Sequence, residues 1–323
     1  MAKKGILVTG GSGLVGAYAV AMLQERGERP VIFDVALNER LLAAVGVDLI
    51  NVAMIRGDMM DLPAIISAIR EHDCDRIIHL AAFLGEEVQR RPYSGVHLNF
   101  MGTVNVFEAA RLEKVARIIF PSSGTVYLGS LGEGLSKIDE SIPMNPPSVY
   151  AATKASCEFM GRAYAKRYGF EFICLRYTGG LYGPSPAGLK ATREIAIQQM
   201  IRAAVKGETA KINWPYGPAE ILYGRDAAKG TVLAALKDKF TNSLFHIGNG
   251  IMLSGDDIAA AVRKAYPGSN VELVRGSNPM PYPDSRLASD FSRAKAELGY
   301  EPEYSIDKAV VDYGATLKRL ENL

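Results

Sequence analysis

Cysteine is scarce in this chain and carries no pattern. Cys74, Cys157 and Cys174 are odd in number and far apart, with no C-x-x-C pair. That excludes a disulfide framework and a cysteine zinc site, and it suits a reducing compartment. The four histidines, His72, His79, His97 and His246, show no metal-ligand spacing, so no metal is expected. His79 falls in an apolar run and reads as a satisfied core histidine. An excess of one charge is also missing. Lys and Arg number 37 against 35 Asp and Glu, a net +2. That gives no electrostatic case for nucleic acid or an anionic membrane. No apolar run is long enough for a signal peptide or a membrane span, which leaves the cytoplasm as the default expectation. Internal repeats and low-complexity segments are not evident.

What is present is an ordinary globular balance, 48% apolar and 22% charged over 323 residues. That length suits one large domain, or two modest ones sharing a core. The first half alternates short apolar runs with helical patterns. Strands are expected at 5–9, 31–33, 51–56, 77–80, 117–120 and 172–175. Helices are expected at 14–26, from Asp61 onward, at 98–113 and at 148–168. Continuous apolar strands separated by helices imply a parallel sheet covered on both faces, a doubly wound α/β fold. The rhythm breaks after Arg176, where Gly179, Gly180, Gly183, Pro184, Pro186 and Gly188 read as a loop. Beyond it, helices are expected near 190–205, 225–237, 255–265 and 305–319, and strands near 210–213 and 244–247. Residues 1–176 therefore read as a dinucleotide-binding domain with later interleaved segments at roughly 219–250. Residues 177–323 read mainly as a smaller α/β substrate region.

The turn after the first strand reads T-G-G-S-G-L-V-G at 9–16. Gly10 and Gly13 permit a sharp turn and close approach to a pyrophosphate, and Gly16 permits the helix to pack on the strand. The helix N-terminus offers N–H groups and partial positive charge to phosphates. A glycine turn with no ligand is the bland alternative. Asp34 ends the second strand, where a carboxylate accepts from a ribose diol and repels a 2′-phosphate. No Lys or Arg follows it in the chain until Arg40, which favours NAD over NADP. Asp58 could contact adenine or cap its own turn.

Tyr150 and Lys154 stand at i, i+4 on the helix opening at 148, on one face. A free phenol, with a pKa near 10, is a poor base at neutral pH. A nearby ammonium and a positive nicotinamide ring would lower it. A Tyr–Lys pair on a solvated face is the alternative. P-S-S-G-T-V-Y at 121–127 follows the fifth strand, at the ligand-binding edge of such a sheet. There Ser123 could hold a substrate oxygen, or the turn could only cap its own backbone.

With these motifs in order, the chain resembles the extended short-chain dehydrogenases/reductases, the group containing NAD-dependent epimerases and dehydratases. The resemblance rests on T-G-G-S-G-L-V-G, Asp34, H-L-A-A at 79–82, P-S-S-G-T-V-Y and Y-A-A-T-K at 150–154. L-R-Y at 175–177 and L-Y-G-P at 181–184 extend it. It implies an NAD enzyme with catalytic Ser123, Tyr150 and Lys154. The cofactor contacts expected are Gly10, Gly13, Leu14, Val15, Gly16, Asp34, Asp58, Met59, Leu80, Ala81, Ala82, Asn99, Ser122, Tyr150, Lys154 and Tyr177. It also implies a homodimer through the helices at 93–113 and 148–168, although intramolecular packing explains their apolar stripes equally well.

Members of the group that act on nucleotide sugars usually meet the diphosphate with an Asn and two Arg. Here Gly179 or Gly180, Pro218-Ala219-Glu220 and Asn278-Pro279 occupy those places. Charge-assisted hydrogen bonds contribute about 1.5–3 kcal/mol each, so their loss is costly. Arg193, Arg275 or Arg286 could substitute from shifted positions. The expected substrate is therefore a smaller hydroxylated molecule, a free sugar derivative, hydroxy acid or amino alcohol, oxidised at a secondary alcohol. L-R-Y-T-G-G and H-L-A-A-F-L also resemble threonine dehydrogenases of the group. Nucleotide-sugar epimerisation or dehydration is the alternative, and a non-catalytic dinucleotide sensor a further one. Trp214 and Tyr216 either line the substrate pocket or pack under a loop.

Overall fold

The computed structural model describes residues 3–132, 135, 137–184, 192–214, 217–274 and 287–322. Pro186, Gly188, Tyr216, Arg275, Asn278, Pro279 and Arg286 lie outside the described residues, as does the side chain of Arg193.

Twelve strands are described: β1 (Gly5–Thr9), β2 (Arg29–Asp34), β3 (Ala53–Arg56), β4 (Cys74–His79), β5 (Arg117–Ser123), β6 (Glu171–Tyr177), β7 (Gly180–Tyr182), β8 (Ala210–Asn213), β9 (Ala219–Tyr223), β10 (Leu244–Ile247), β11 (Met252–Leu253) and β12 (Val271–Val274). The α-helices are α1 (Leu14–Glu25), α2 (Glu39–Ala44), α3 (Leu62–Glu71), α4 (Gly85–Arg90), α5 (Pro92–Val96), α6 (Thr103–Leu112), α7 (Val149–Tyr168), α8 (Thr192–Lys206), α9 (Gly224–Leu236), α10 (Gly255–Ala265), α11 (Ser292–Leu298) and α12 (Ile306–Glu321).

Seven strands form one parallel sheet in the order β10-β6-β5-β4-β1-β2-β3. All five residues of β1 are buried, as its unbroken apolar run requires of a strand covered on both faces. The strand order reverses between β1 and β4. That reversal opens a crevice at the strands' carboxyl ends, where this architecture takes ligands. Side chains of α1, α8 and α9 pack one face, and those of α3, α6 and α7 the other. Small sheets β11-β9-β7 and β12-β8 stand apart.

Asp61 caps α3 as expected, accepting from the Ala64 N–H at 3.0 Å. Ser148 caps α7 through Ala151 in the same way. The third strand begins at Ala53 rather than 51, because Asn51 is drawn into a turn by the Asp48 carboxylate at 2.7 Å. The helix expected over 98–113 is two pieces, a π-helical turn at His97–Gly102 followed by α6. Part of the glycine-rich loop after Arg176 is the strand β7, which pairs in parallel with β9. Residues 244–247 complete the main sheet beside β6, whereas 219–223 belong to the small sheet.

Candidate active site

The glycine turn joins β1 to α1 at the crevice. Gly10 has φ +69°, a left-handed conformation open to glycine, and a Cβ there would lie 2.7 Å from the Ala81 nitrogen. A Cβ on Gly16 would lie 2.2 Å from the Gly10 carbonyl oxygen. Gly16 therefore packs α1 on the turn itself rather than on the strand. Gly13 caps α1 in extended conformation; no side chain caps the helix, and its first turn holds no acid. The N–H groups there are left for an anion. The Leu14 side chain packs toward Gly183 and Gly224 and stays partly exposed, whereas Val15 is buried and presents its backbone.

Asp34 accepts from the Ser12 N–H at 3.0 Å and from the Ala36 N–H at 3.1 Å. The Ser12 hydroxyl is buried without a partner. A glycine cradle, an uncapped helix end, an orphaned hydroxyl and a carboxylate at the end of β2 together fit a dinucleotide. The sheet adds a neighbour that the chain order hides: Arg56 pairs in register with Asp34 and donates to the Val35 carbonyl at 3.2 Å. Asp58 accepts from Met60 N–H and so caps its own turn. Met59 is buried against Gly102, and its carbonyl accepts from Asn105.

Leu80 and Ala81 continue β4 past the sheet, their N–H groups donating to the Thr9 carbonyl and hydroxyl at 3.0 and 3.4 Å. Ala81 and Ala82 are half-buried at this edge. Asn99, expected at the cofactor, is bonded to the backbone of Phe83. Its amide accepts from the Phe83 N–H at 2.7 Å and donates to the Phe83 carbonyl at 2.9 Å. With both halves so committed, Asn99 holds the loop after β4 in place. His79 is a satisfied core histidine, bonded to Thr9 at 2.7 Å and Thr103 at 3.0 Å. The Thr103 hydroxyl donates to the Asn99 carbonyl at 2.6 Å, so it accepts from His79 Nε2–H. Burial pushes the pKa of His79 down to about 3, which keeps the ring neutral.

Ser123 ends β5, and Tyr150 and Lys154 sit on the first turns of α7. Ser123 Oγ accepts from the Thr125 N–H at 3.2 Å and from its hydroxyl at 2.9 Å, which leaves the Ser123 hydrogen for another oxygen. That serine both caps its turn and faces Tyr150. Burial pushes the Tyr150 phenol up to about 12, and the Ser123 hydrogen bond opposes this. The expected lowering by Lys154 is absent here. The Lys154 ammonium is buried, donates to the Pro121 carbonyl at 2.8 Å and lies 4.8 Å from the Phe120 ring centroid. Burial lowers its own pKa. Two residues expected at the cofactor have hydroxyls committed elsewhere. Ser122 donates to Glu158 at 2.6 Å, and Tyr177 donates to Thr231 at 2.6 Å because the Thr231 hydrogen goes to the Ala227 carbonyl.

Sequence reasoning missed Glu158, which pairs with Arg176 beneath the site at 3.0 Å through each oxygen. Its place at i+8 from Tyr150 was the available signal. It also missed what Glu220 does. The carboxylate accepts from the N–H groups of Asn249, Gly250 and Ser289 and from the Ser289 hydroxyl, at 2.8–3.0 Å. No local pattern signals that convergence. Among the described residues, no cluster of His, Cys, Asp and Glu is placed to hold a metal ion.

A family model, the NAD dependent epimerase/dehydratase family, matches residues 6–248. The chain belongs to this family. Its members are NAD-dependent enzymes of the extended short-chain dehydrogenase/reductase group, and so is this protein. It is 26% identical to a UDP-glucose 4-epimerase of Halalkalibacterium halodurans, over 95% of this chain and 93% of that one. It is 28% identical to a dTDP-glucose 4,6-dehydratase of Streptomyces niveus, over 95% and 90%. Among solved structures, an L-threonine dehydrogenase of Cupriavidus necator in its holo form superposes with TM-score 0.78 at 25% identity, covering 97% of this chain and 99% of that one. The fold is shared with a UDP-glucose 4-epimerase of Thermus thermophilus in complex with NAD, at TM-score 0.79 and 24% identity, with coverage of 97% and 99%. Among the described residues, no helix is long and apolar enough to cross a membrane.

Proposed function

We propose that this family member acts at a secondary alcohol carbon, with Tyr150 taking the hydroxyl proton and Ser123 holding the oxygen. The observation that carries this is the Ser123 hydroxyl at the carboxyl end of β5, which accepts from Thr125 and spends its own hydrogen on the Tyr150 phenol. Bound NAD⁺ would accept hydride from that carbon and, in an epimerase or dehydratase, return it within the same turnover. The glycine turn, Asp34 and the residues 80–82 would hold the dinucleotide. Lys154, already pinned under the site, would fix the ribose side, and the positive nicotinamide ring would favour the phenolate.

The relatives' names support a nucleotide-sugar epimerase or dehydratase first, ahead of the small alcohol dehydrogenase that the sequence alone suggests. A small hydroxylated substrate remains the second reading on one specific observation. Glu220 is a buried carboxylate on β9, in the stretch 218–220 where the resemblance leads one to expect an arginine in members that bind a diphosphate. A homodimer through α5–α7 belongs to the same proposal. Exposed Val96, Met101, Leu112 and Phe159 along these segments support it.

The test is incubation of the purified protein with NAD⁺ and a panel of UDP- and dTDP-sugars, free sugar acids, hydroxy acids and amino alcohols. NADH absorbance and product mass and stereochemistry are followed. Turnover of a nucleotide sugar with no net NADH supports the first reading. NADH accumulation with a small alcohol supports the second. Full activity in Tyr150→Phe would remove both.

A further inference from the structure

The Glu158 carboxylate has no part in the proton transfer proposed above, yet it is bonded to Ser122, the residue next to Ser123 on β5. Glu158 is fully buried and Arg176 is 2% exposed. Besides Arg176, the carboxylate accepts from the Ser122 hydroxyl at 2.6 Å and from Arg162 at 3.3 Å. A buried ion pair is a weak source of stability, because apolar side chains of similar volume often serve as well. What it does supply is a unique arrangement.

The face of α7 carries Tyr150, Lys154, Glu158 and Arg162 at four-residue spacing. A slip of α7 by one turn, about 5.4 Å, would set Lys154 or Arg162 against the Arg176 guanidinium. Only the carboxylate matches, so one register of α7 on β5 and β6 avoids cation against cation. In that register three consecutive residues of β5 meet three successive turns of α7. Ser123 faces Tyr150, the Pro121 carbonyl accepts from Lys154, and Ser122 donates to Glu158.

We propose that Glu158, held by Arg176, is a positioning residue that sets the Ser123 hydroxyl against the Tyr150 phenol through Ser122. The proposal rests on the reading of Tyr150 and Ser123 as the reacting pair. Ser122 and Ser123 share a peptide unit at the end of β5, so a shift of the strand backbone at the Ser122–Glu158 bond also moves Ser123.

The test uses the NAD⁺-loaded protein and two variants. Ser122→Ala cuts the link and leaves the ion pair whole. The double variant Glu158→Leu with Arg176→Met replaces the pair by apolar groups and leaves no lone buried charge. The phenol of Tyr150 is titrated by NMR with ring-labelled tyrosine, assigned by Tyr150→Phe. Both variants should raise its midpoint by about one pH unit, the equivalent of one lost hydrogen bond. Turnover of any substrate found in the panel should fall about tenfold while NAD⁺ affinity holds. A folded Ser122→Ala protein whose phenol titrates like the wild type overturns the proposal, whatever its melting temperature. If the double variant does not fold, Ser122→Ala decides alone. The NMR reading is independent of activity, so a Tyr150→Phe enzyme that stays active would sink the proposed function while the phenol titration still judges Glu158.

Discussion

The Lys154 ammonium donates to the Pro121 carbonyl at 2.8 Å, two residues before Ser123 on the same strand. The cation is thus tied to the strand end under the site, while Tyr150 stands one helical turn away with its phenol against Ser123. The Lys154 side chain does two jobs, bracing β5 and keeping positive charge in a dry place.

Lys154→Met should therefore cut turnover by about 100-fold or more and weaken NAD⁺ binding. Lys154→Arg should not restore it, since a planar guanidinium does not fit a 7%-exposed ammonium site. Steady-state kinetics and calorimetric NAD⁺ titration measure both. A Lys154→Met enzyme of near wild-type turnover contradicts the assignment.

Three of the four glycines at 9–16, Gly10, Gly13 and Gly16, should separate stability from cofactor binding. Gly16→Ala drives a Cβ to 2.2 Å from the Gly10 carbonyl oxygen, and Gly10→Ala strains φ +69° besides crowding Ala81. Each should cost roughly 1–3 kcal/mol of stability. At Gly13 a Cβ meets only the Gly10 carbonyl oxygen, at 3.2 Å, with φ −82°. Gly13→Ala should stay folded yet bind NAD⁺ several-fold more weakly, because the methyl stands where the phosphates approach. Urea unfolding and calorimetry report the two effects; unchanged NAD⁺ affinity in Gly13→Ala would refute the placement.

Glu220→Gln should destabilise despite its matching shape. Every near neighbour of the carboxylate is a donor: three backbone N–H groups and the Ser289 hydroxyl. An amide NH₂ must face at least one of them, at a cost of about 1–3 kcal/mol. Chemical denaturation measures it, and a Gln variant as stable as the wild type would show that the donors are satisfied otherwise.

Stability should fall as pH drops below about 6.5. Burial lowers the pKa of His79 from 6.5 to about 3, and burial and then Arg176 lower that of His246 to about 4. The unfolded chain takes up these protons near 6.5 while the folded chain refuses them, so the unfolded state gains down to about pH 4 for His246 and pH 3 for His79. Together they remove on the order of a few kcal/mol. The His246 ring makes no well-formed hydrogen bond, the Asp290 backbone being its one near polar neighbour, so His246→Leu should fold and flatten part of the slope. Thermal unfolding from pH 8 to 4 is the measurement; a flat profile contradicts it.

Much of this protein can be read along the chain. The doubly wound fold follows from period and apolar runs, since each strand and helix advertises itself locally. The glycine turn, Asp34, Ser123, Tyr150 and Lys154 are legible because each lies at a strand end or on one short stretch of helix. The short helices α2, α4, α5 and α11 were not legible, being too brief for a period to show.

Other features exist only after folding. Arg56 neighbours Asp34 across 22 residues of chain because β2 and β3 pair. Glu158 meets Arg176, and Glu220 gathers Asn249 and Ser289, because the sheet and its covering helices bring distant segments together. The direction of the Lys154 ammonium, the engagement of the Asn99 amide with Phe83 and the height of the Tyr150 pKa depend on burial and on which partner is nearest. Burial and proximity belong to the packed chain, so no order of residues could state them alone.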